Sequence, residues 1–178
     1  MNRYGKKLFL HIPRTGGLSV IDTMQDQTLH IEGIGKRYEV PWEDYWIFTI
    51  VRHPLDRLVS LCGYVLRPPY NGRVLTPEMF HAWVKGGMLD RDGGQYTVYS
   101  TQPYAFDLCT PQMDCLDGVP INKTFRFERL EDLELDLPHL NSTGRLPWEA
   151  YYTDAEVLDL AMRRYAKDFQ LGYDLPEV

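Results

Sequence analysis

The chain has 178 residues, 44% hydrophobic and 25% charged, which is ordinary for one globular domain. Its formal net charge of -6 argues against nucleic-acid binding, because that function favours a basic surface. No apolar run approaches the roughly 20 residues of a membrane span, so no membrane partner is expected. The apolar run near the N-terminus is too short for a signal peptide, which predicts a cytoplasmic location.

The three cysteines are Cys62, Cys109 and Cys115. An odd number of cysteines without a secretion signal favours reduced thiols over disulfides. No spacing of cysteine and histidine resembles a zinc site, so no metal is expected.

The first elements in the chain are a strand, a turn and a helix. Residues 8–12 form a short apolar run typical of a buried strand, and residues 13–17 interrupt it. Residues 18–27 have apolar side chains at helical spacing. A second short strand is predicted over residues 28–31, and residues 32–44 are predicted to be a loop or a broken helix.

The turn after the first strand has the chemistry of an anion site. Gly16 and Gly17 allow the backbone to approach a phosphate closely, at the positive end of a helix. Thr15 and Ser19 add hydroxyl groups, and Arg14 adds a fixed positive charge. The turn is not a Walker A loop, because the basic residue precedes the glycines. The alternative is a tight connection without a ligand.

A second candidate site follows the strongest predicted strand, residues 45–51, which is aromatic and β-branched. Pro54 suits the first turn of the next helix. Arg52 lies at the carboxyl end of the strand, where parallel sheets bind ligands, and Ser60 lies two turns along the helix. The alternative for Arg52 is an ordinary ion pair with Asp56.

The rest of the chain contains one long irregular stretch, at about residues 63–120. Within it, a helix is predicted from the N-cap Thr76 to about residue 85. We expect this stretch to cover an acceptor site, the alternative being a poorly ordered surface excursion. A strand over residues 123–127 and a short helix over residues 128–133 follow. A capping box from Thr153 to Glu156 is expected to open the last helix.

Four motifs in order resemble sulfotransferases that use 3′-phosphoadenylyl sulfate (PAPS). The run HIPRTGGLS at residues 11–19 resembles their 5′-phosphosulfate loop. TIVRHPLDRLVS at residues 49–60 resembles their 3′-phosphate motif. FRFERLED at residues 125–132, and residues 138–145 with 151–173, resemble later parts of the carbohydrate-sulfotransferase branch. The resemblance does not cover residues 63–120.

This resemblance implies one α/β domain over residues 1–178, with three layers and a central, mostly parallel sheet flanked by helices, as in P-loop-NTPase-like folds. It implies that PAPS is the co-substrate, that no metal takes part, and that a carbohydrate or small-molecule hydroxyl accepts the sulfuryl group. The implied nucleotide-binding residues are Arg14, Thr15, Gly16, Gly17, Leu18, Ser19, Arg52, Ser60 and Arg145.

Two positions depart from the family pattern. Arg14 stands where relatives usually have a catalytic lysine, and Leu18 where they often have a hydroxyl residue. Arginine can stabilise a leaving group but cannot donate its proton as a general acid.

The general base is left open by the sequence. His30 and Glu32 follow the second strand, near where relatives place such a group, while His53 and His81 are further alternatives. Two other functions remain open as well. One is a catalytically degenerate protein that binds PAPS or 3′-phosphoadenosine 5′-phosphate (PAP), and the other is a small kinase, which the missing Walker lysine disfavours.

Overall fold

The computed structural model describes residues 6–24, 28–32, 38–66, 74–88, 97–98, 106–135 and 145–176. The described strands, in chain order, are β1 Lys6–His11, β2 Thr28–Glu32, β3 Tyr45–Val51, β4 Thr97–Val98, β5 Phe106–Asp107 and β6 Lys123–Arg126. Four of them form a parallel sheet in the order β2-β1-β3-β6, and β4 and β5 form a small antiparallel ribbon.

The described helices are α1 Gly17–Met24, α2 Pro54–Val65, α3 Pro77–Trp83, α4 Gln112–Leu116 and α5 Ala155–Arg164. Single turns of 3-10 helix occupy Trp42–Asp44 and Trp148–Tyr151, longer ones occupy Phe127–Leu133 and Ala166–Leu171, and a π turn, Val84–Met88, follows α3. The predicted α/β class with a parallel central sheet is confirmed.

Apolar side chains cover both faces of the sheet, because successive residues of a strand point to opposite faces. On one face, Phe9 and Phe48 stack with ring centroids 5.0 Å apart, and Val20 and Met24 of α1 pack on them. On the other face, the strand residues Leu8, Leu10 and Ile47 pack against the segments at residues 38–45 and 116–121. This layering is consistent with a three-layer fold.

Helix α2 connects the sheet to a second apolar cluster. Pro54 is at its first position, as predicted, and the predicted apolar stripe of the helix is buried. The stripe packs with side chains of α3 and α5, including Phe80 and Val157. Because α2 begins just after β3, this packing fixes the position of the carboxyl end of the sheet.

Three details differ from the expectations or lie outside the described residues. The cap of α5 is Asp154, not Thr153: its carboxylate accepts from the backbone N–H groups of Glu156 and Val157. The stretch at residues 63–120 contains α4, which was not predicted. Its described parts pack into the core around α2. The expected cover over an acceptor falls mainly on residues 67–73, 89–96 and 99–105, which lie outside the described residues.

The three cysteines are buried thiols that form no disulfide, as predicted. Within the described ranges, none of the helices has the length and apolar character that crossing a membrane requires.

Candidate functional site

The turn after β1 and the helix after β3 meet through Arg14. Because β1 and β3 are neighbours in a parallel sheet, the segments that follow them emerge at the same edge. The Arg14 side chain crosses this gap and donates from Nε and Nη2 to Ser60 Oγ, at 3.2 and 3.1 Å. Its guanidinium also lies over the Tyr64 ring, 4.9 Å from the centroid. The two predicted anion sites therefore adjoin each other.

Arg52 strengthens the same junction from the end of β3. Its Nη1 donates to the carbonyl oxygen of Arg14 at 3.1 Å, and its Nε donates to Asp56 Oδ2 at 2.7 Å. The ion pair considered from the sequence is thus present, together with a contact to the turn. Burial lowers the pKa of Arg52, an effect that the nearby Asp56 carboxylate opposes. The guanidinium lies 4.0 Å from the centroid of the Phe127 ring.

Arg145 joins from the C-terminal part of the chain. Its Nη2 donates to Asp56 Oδ1, so one buried carboxylate holds two arginines. We call Arg14, Arg52, Asp56, Ser60 and Arg145 the arginine cluster. These five residues contain three cations and one carboxylate, so the cluster itself has two surplus positive charges, with the Glu128 carboxylate near enough to act on Arg52. Such a cluster suits a ligand with anionic groups.

The backbone of the glycine turn is left-handed at two positions, its Gly16 makes room for the Phe127 ring, and one of its hydroxyls is already engaged. Gly16 has φ 83° and Arg14 has φ 69°, in the left-handed region that is unusual for a residue with a side chain. Thr15 is fully buried, and its hydroxyl donates to the carbonyl of Ile12 at 2.7 Å. Thr15 therefore shapes the turn in this structure.

The remaining residues of this turn lead into α1. The buried Ser19 donates its backbone N–H to the carbonyl of Gly16 at 3.2 Å. The Leu18 side chain is 52% exposed beside it. The first backbone N–H groups of a helix that starts here lie at the positive end of its dipole, where they favour an anion.

A third group adjoins the turn from the side of β2. His11 and Glu32 are paired in the parallel register of β1 and β2, and His11 Nδ1 lies 3.4 Å from Glu32 Oε1. The imidazole also packs directly against Gly17, where any added Cβ would clash with the ring. Burial raises the pKa of Glu32. Glu32 was predicted from the sequence as a candidate base, whereas His11 was not, because its only signal was its place at the end of the strand.

The other histidines have different surroundings. His30 pairs with Phe9 through the backbone, and its side chain lies outside the described part of the structure. His53 stacks on Trp148 with ring centroids 4.5 Å apart, and burial lowers its pKa. The ring of His81 lies 2.9 Å from the carbonyl of Tyr151. Of the four candidate bases, Glu32 is the one that the described contacts connect to the turn.

The structure thus brings most of the predicted site residues to one edge of the sheet. Arg14, Arg52, Ser60 and Arg145 are connected directly or through Asp56. Among the described residues, no group of three or more histidine, cysteine or acidic side chains is arranged to hold a metal ion. In the comparisons with known proteins, no family model matches the chain and no curated protein matches it.

Proposed function

We propose that this protein is a sulfotransferase that moves the sulfuryl group of PAPS to an acceptor hydroxyl, with a carbohydrate as one possible class of acceptor. The observation that carries this proposal is the direct bond between Arg14 of the glycine turn and Ser60 of α2. It makes one continuous site of two anion-binding regions. PAPS needs such a site, because it carries a 3′ phosphate and a 5′ phosphosulfate.

In this proposal the nucleotide lies along the edge of the sheet. Arg52, Arg145 and Ser60 hold the 3′ phosphate, and the backbone of residues 15–19 holds the 5′ end. The acceptor oxygen attacks sulfur in line, and the bond between sulfur and the bridging oxygen breaks. The electron pair of that bond leaves with the 5′-phosphate of PAP. A cation near this oxygen stabilises the transition state more than the ground state, which is the role proposed for Arg14.

Glu32 is the proposed base that takes the acceptor proton. The 3′ end of the nucleotide is assigned to the β3 side of β1, so the acceptor approaches beyond the 5′ end, on the β2 side. Glu32 is the last residue of β2, with its side chain 20% exposed, whereas that of His11 is 6% exposed. The more accessible carboxylate takes the proton, and His11 fixes its position.

The pKa of Glu32 supports this assignment. Burial raises the pKa of this carboxyl, which makes its carboxylate a stronger base than an exposed one. Among the described residues, His11 Nδ1 lies 3.4 Å from the Glu32 carboxylate, and the Tyr38 hydroxyl donates to the backbone carbonyl of Glu32 at 2.8 Å.

One observation favours a second function, binding of PAP without turnover. Arg14 takes the place of the usual lysine of the resembling family, and two of its nitrogens already donate to Ser60. An arginine fixed in this way holds an anion but has fewer donors for a departing phosphate.

Two measurements test these proposals. Thermal unfolding with PAP and with ATP plus magnesium separates a PAPS site from a kinase site, since selective stabilisation by PAP is expected only for the former. Transfer of labelled sulfate from PAPS to sugars, phenols and alcohols then separates the enzyme from a non-catalytic binder. Stabilisation by ATP plus magnesium but not by PAP would contradict both PAPS-based functions.

A further inference from the structure

Three consecutive carbonyl groups of the glycine turn are each bound by a side chain. The carbonyl of Ile12 accepts from the Thr15 hydroxyl at 2.7 Å, and the carbonyl of Arg14 accepts from Arg52 Nη1 at 3.1 Å. The carbonyl between them, on Pro13, accepts from Arg57 Nε at 2.9 Å. Arg57 was not among the predicted site residues.

Arg57 is poorly placed to bind a ligand itself. Its side chain is 1% exposed, and each of its three nitrogens donates to a backbone carbonyl. Besides Pro13, the acceptors are Thr110 at 3.0 Å and Leu108 at 3.1 Å. A buried guanidinium bound by three carbonyls fixes the segments that carry them relative to one another.

The bond to Pro13 has a consequence for the amide that follows. A trans peptide is planar, so the N–H of one residue points opposite to the C=O of the residue before it. The structure contains no cis peptide among its described residues. Because Arg57 holds the Pro13 carbonyl on its own side, the N–H of Arg14 points to the other side. The bonded carbonyl of Arg14 directs the N–H of Thr15 in the same manner.

We infer that Arg57 is a positioning residue for the sulfate-bearing end of the nucleotide. It holds the Pro13 carbonyl and thereby sets the direction of the backbone amides in the turn. This inference rests on the proposed function. It goes beyond that function, because it assigns the positioning of the backbone at the 5′ end to a cation that does not contact the ligand. It also separates Arg57 from Arg52, which is assigned to the 3′ phosphate.

The test compares two nucleotides that differ only at the 5′ end, PAP and adenosine 3′-phosphate. Arg57→Lys keeps the charge but not the three-way planar donor set. We expect this variant to bind adenosine 3′-phosphate as the wild type does. We expect its ratio of affinities, PAP over adenosine 3′-phosphate, to be about tenfold lower, which is the size of one charge-assisted hydrogen bond. Titration calorimetry measures both dissociation constants. Val157→Ala, in the fully buried core at α5, is the control for a general loss of stability.

Each outcome bears on the inference. An unchanged PAP preference in a folded Arg57→Lys variant overturns it, and so does an equal loss in Val157→Ala. A wild-type protein that binds neither nucleotide removes the proposed function, and the inference with it.

If Arg57→Lys does not fold, the test uses the wild-type protein instead. The NMR signal of the Arg57 Nε–H group is then followed as each nucleotide is added. We expect PAP to shift that signal and adenosine 3′-phosphate to leave it in place. Equal shifts with the two nucleotides would overturn the inference.

Discussion

Arg52 and Arg57 lie five residues apart, and both are buried, yet they serve different regions of the molecule. Arg52 is 8% exposed and contacts a carboxylate, one carbonyl and an aromatic ring at the carboxyl edge of the sheet. Arg57 is 1% exposed and contacts three carbonyls beneath the turn. In the proposed function the first region presents charge to a ligand, and the second uses charge to hold backbone in place. Burial and positive charge are common to both arginines. What differs is the set of acceptors, a carboxylate and one carbonyl for Arg52 and three carbonyls for Arg57.

The largest effect is expected in the arginine cluster. Arg14→Ala removes the cation assigned to the leaving group, so we expect the rate of sulfate transfer to fall about 10²- to 10³-fold, as for loss of one preorganised transition-state donor. Transfer of labelled sulfate from PAPS measures it. The control is Arg163→Ala, since Arg163 lies on α5 with a 68% exposed side chain paired to Asp159. Full activity in Arg14→Ala would remove Arg14 from the mechanism.

The second-largest effect is expected at Glu32, on the side of β1 opposite the arginine cluster. Glu32→Gln keeps the shape of the side chain but removes the base, so we expect kcat to fall about 10²-fold or more while PAP affinity is kept. Glu131→Gln, an exposed position on the 3-10 turn at Phe127–Leu133, is the matched control. A normal kcat in Glu32→Gln would show that another group accepts the proton.

The pH dependence of the wild type sharpens this test. A general base acts only when deprotonated, so kcat should rise with pH through the pKa of Glu32 and fall below it. Because burial raises the pKa of Glu32, the loss of activity on acidification should begin at a higher pH than for an exposed glutamate. His11→Asn keeps an amide donor near the Nδ1 position and should preserve the profile better than His11→Phe.

Much of the fold followed from local patterns in the sequence. The apolar, β-branched run of β3 was predicted with its observed bounds, and Pro54 marked the start of α2. Both signals are carried by neighbouring residues. Helix α4 was missed because its cap is remote: Asp168 accepts from the N–H groups of Gln112 and Met113, and the preceding Pro111 supplies no side-chain cap. No local pattern contains that information.

The candidate site divides in the same manner. Arg14 and Arg52 could be singled out because glycines and a strand end stand beside them in the sequence. The pairing of His11 with Glu32 depends on the register of β1 and β2, and the bridge from Asp56 to Arg145 spans 89 residues. The direction of Arg57 depends on packing against residues 108–110. These contacts exist only after the chain has folded, so sequence spacing could not reveal them.

A smaller effect, on stability, is expected beside the turn. Gly17→Ala places a methyl group against the His11 ring, so we expect destabilisation of about 1–3 kcal/mol, as for overpacking in a core. Gly63→Ala is the matched control in α2: its Cβ would lie 3.7 Å from Leu75 Cδ2, an ordinary contact. In a helix that change stabilises by up to about 1 kcal/mol. Thermal unfolding compares the two, and equal shifts would contradict the close contact with His11.

The smallest effect is expected from Lys85, which is paired at the surface and not buried as Arg52 and Arg57 are. Lys85 Nζ lies 2.7 Å from Asp154 Oδ2 and 2.8 Å from Glu156 Oε2, with 38% of its side chain exposed. Solvent screens exposed pairs, so Lys85→Ala should lower the melting temperature slightly and leave sulfate transfer unchanged. Lys167→Ala is the control, because the Lys167 side chain is 70% exposed and has a single partner, Asp114, at the longer distance of 3.5 Å among the described ion pairs.

The pH range of this small effect follows from the two partners of the ion pair. The bond to Asp154 raises the pKa of Lys85, and the same bond lowers the pKa of Asp154. The stabilisation is therefore present at neutral pH. It is lost as pH falls through the lowered pKa of Asp154, or rises through the raised pKa of Lys85. The difference in melting temperature between Lys85→Ala and the wild type should accordingly vanish at both pH extremes. It should also vanish in 1 M salt, where the Debye length is only about 3 Å. A difference that persists in 1 M salt would mean that Lys85 stabilises α5 through packing of its aliphatic stem. The surface ion pair would then contribute no electrostatic stabilisation, and Lys85 could not serve as the exposed counterpart of the buried Arg52 and Arg57.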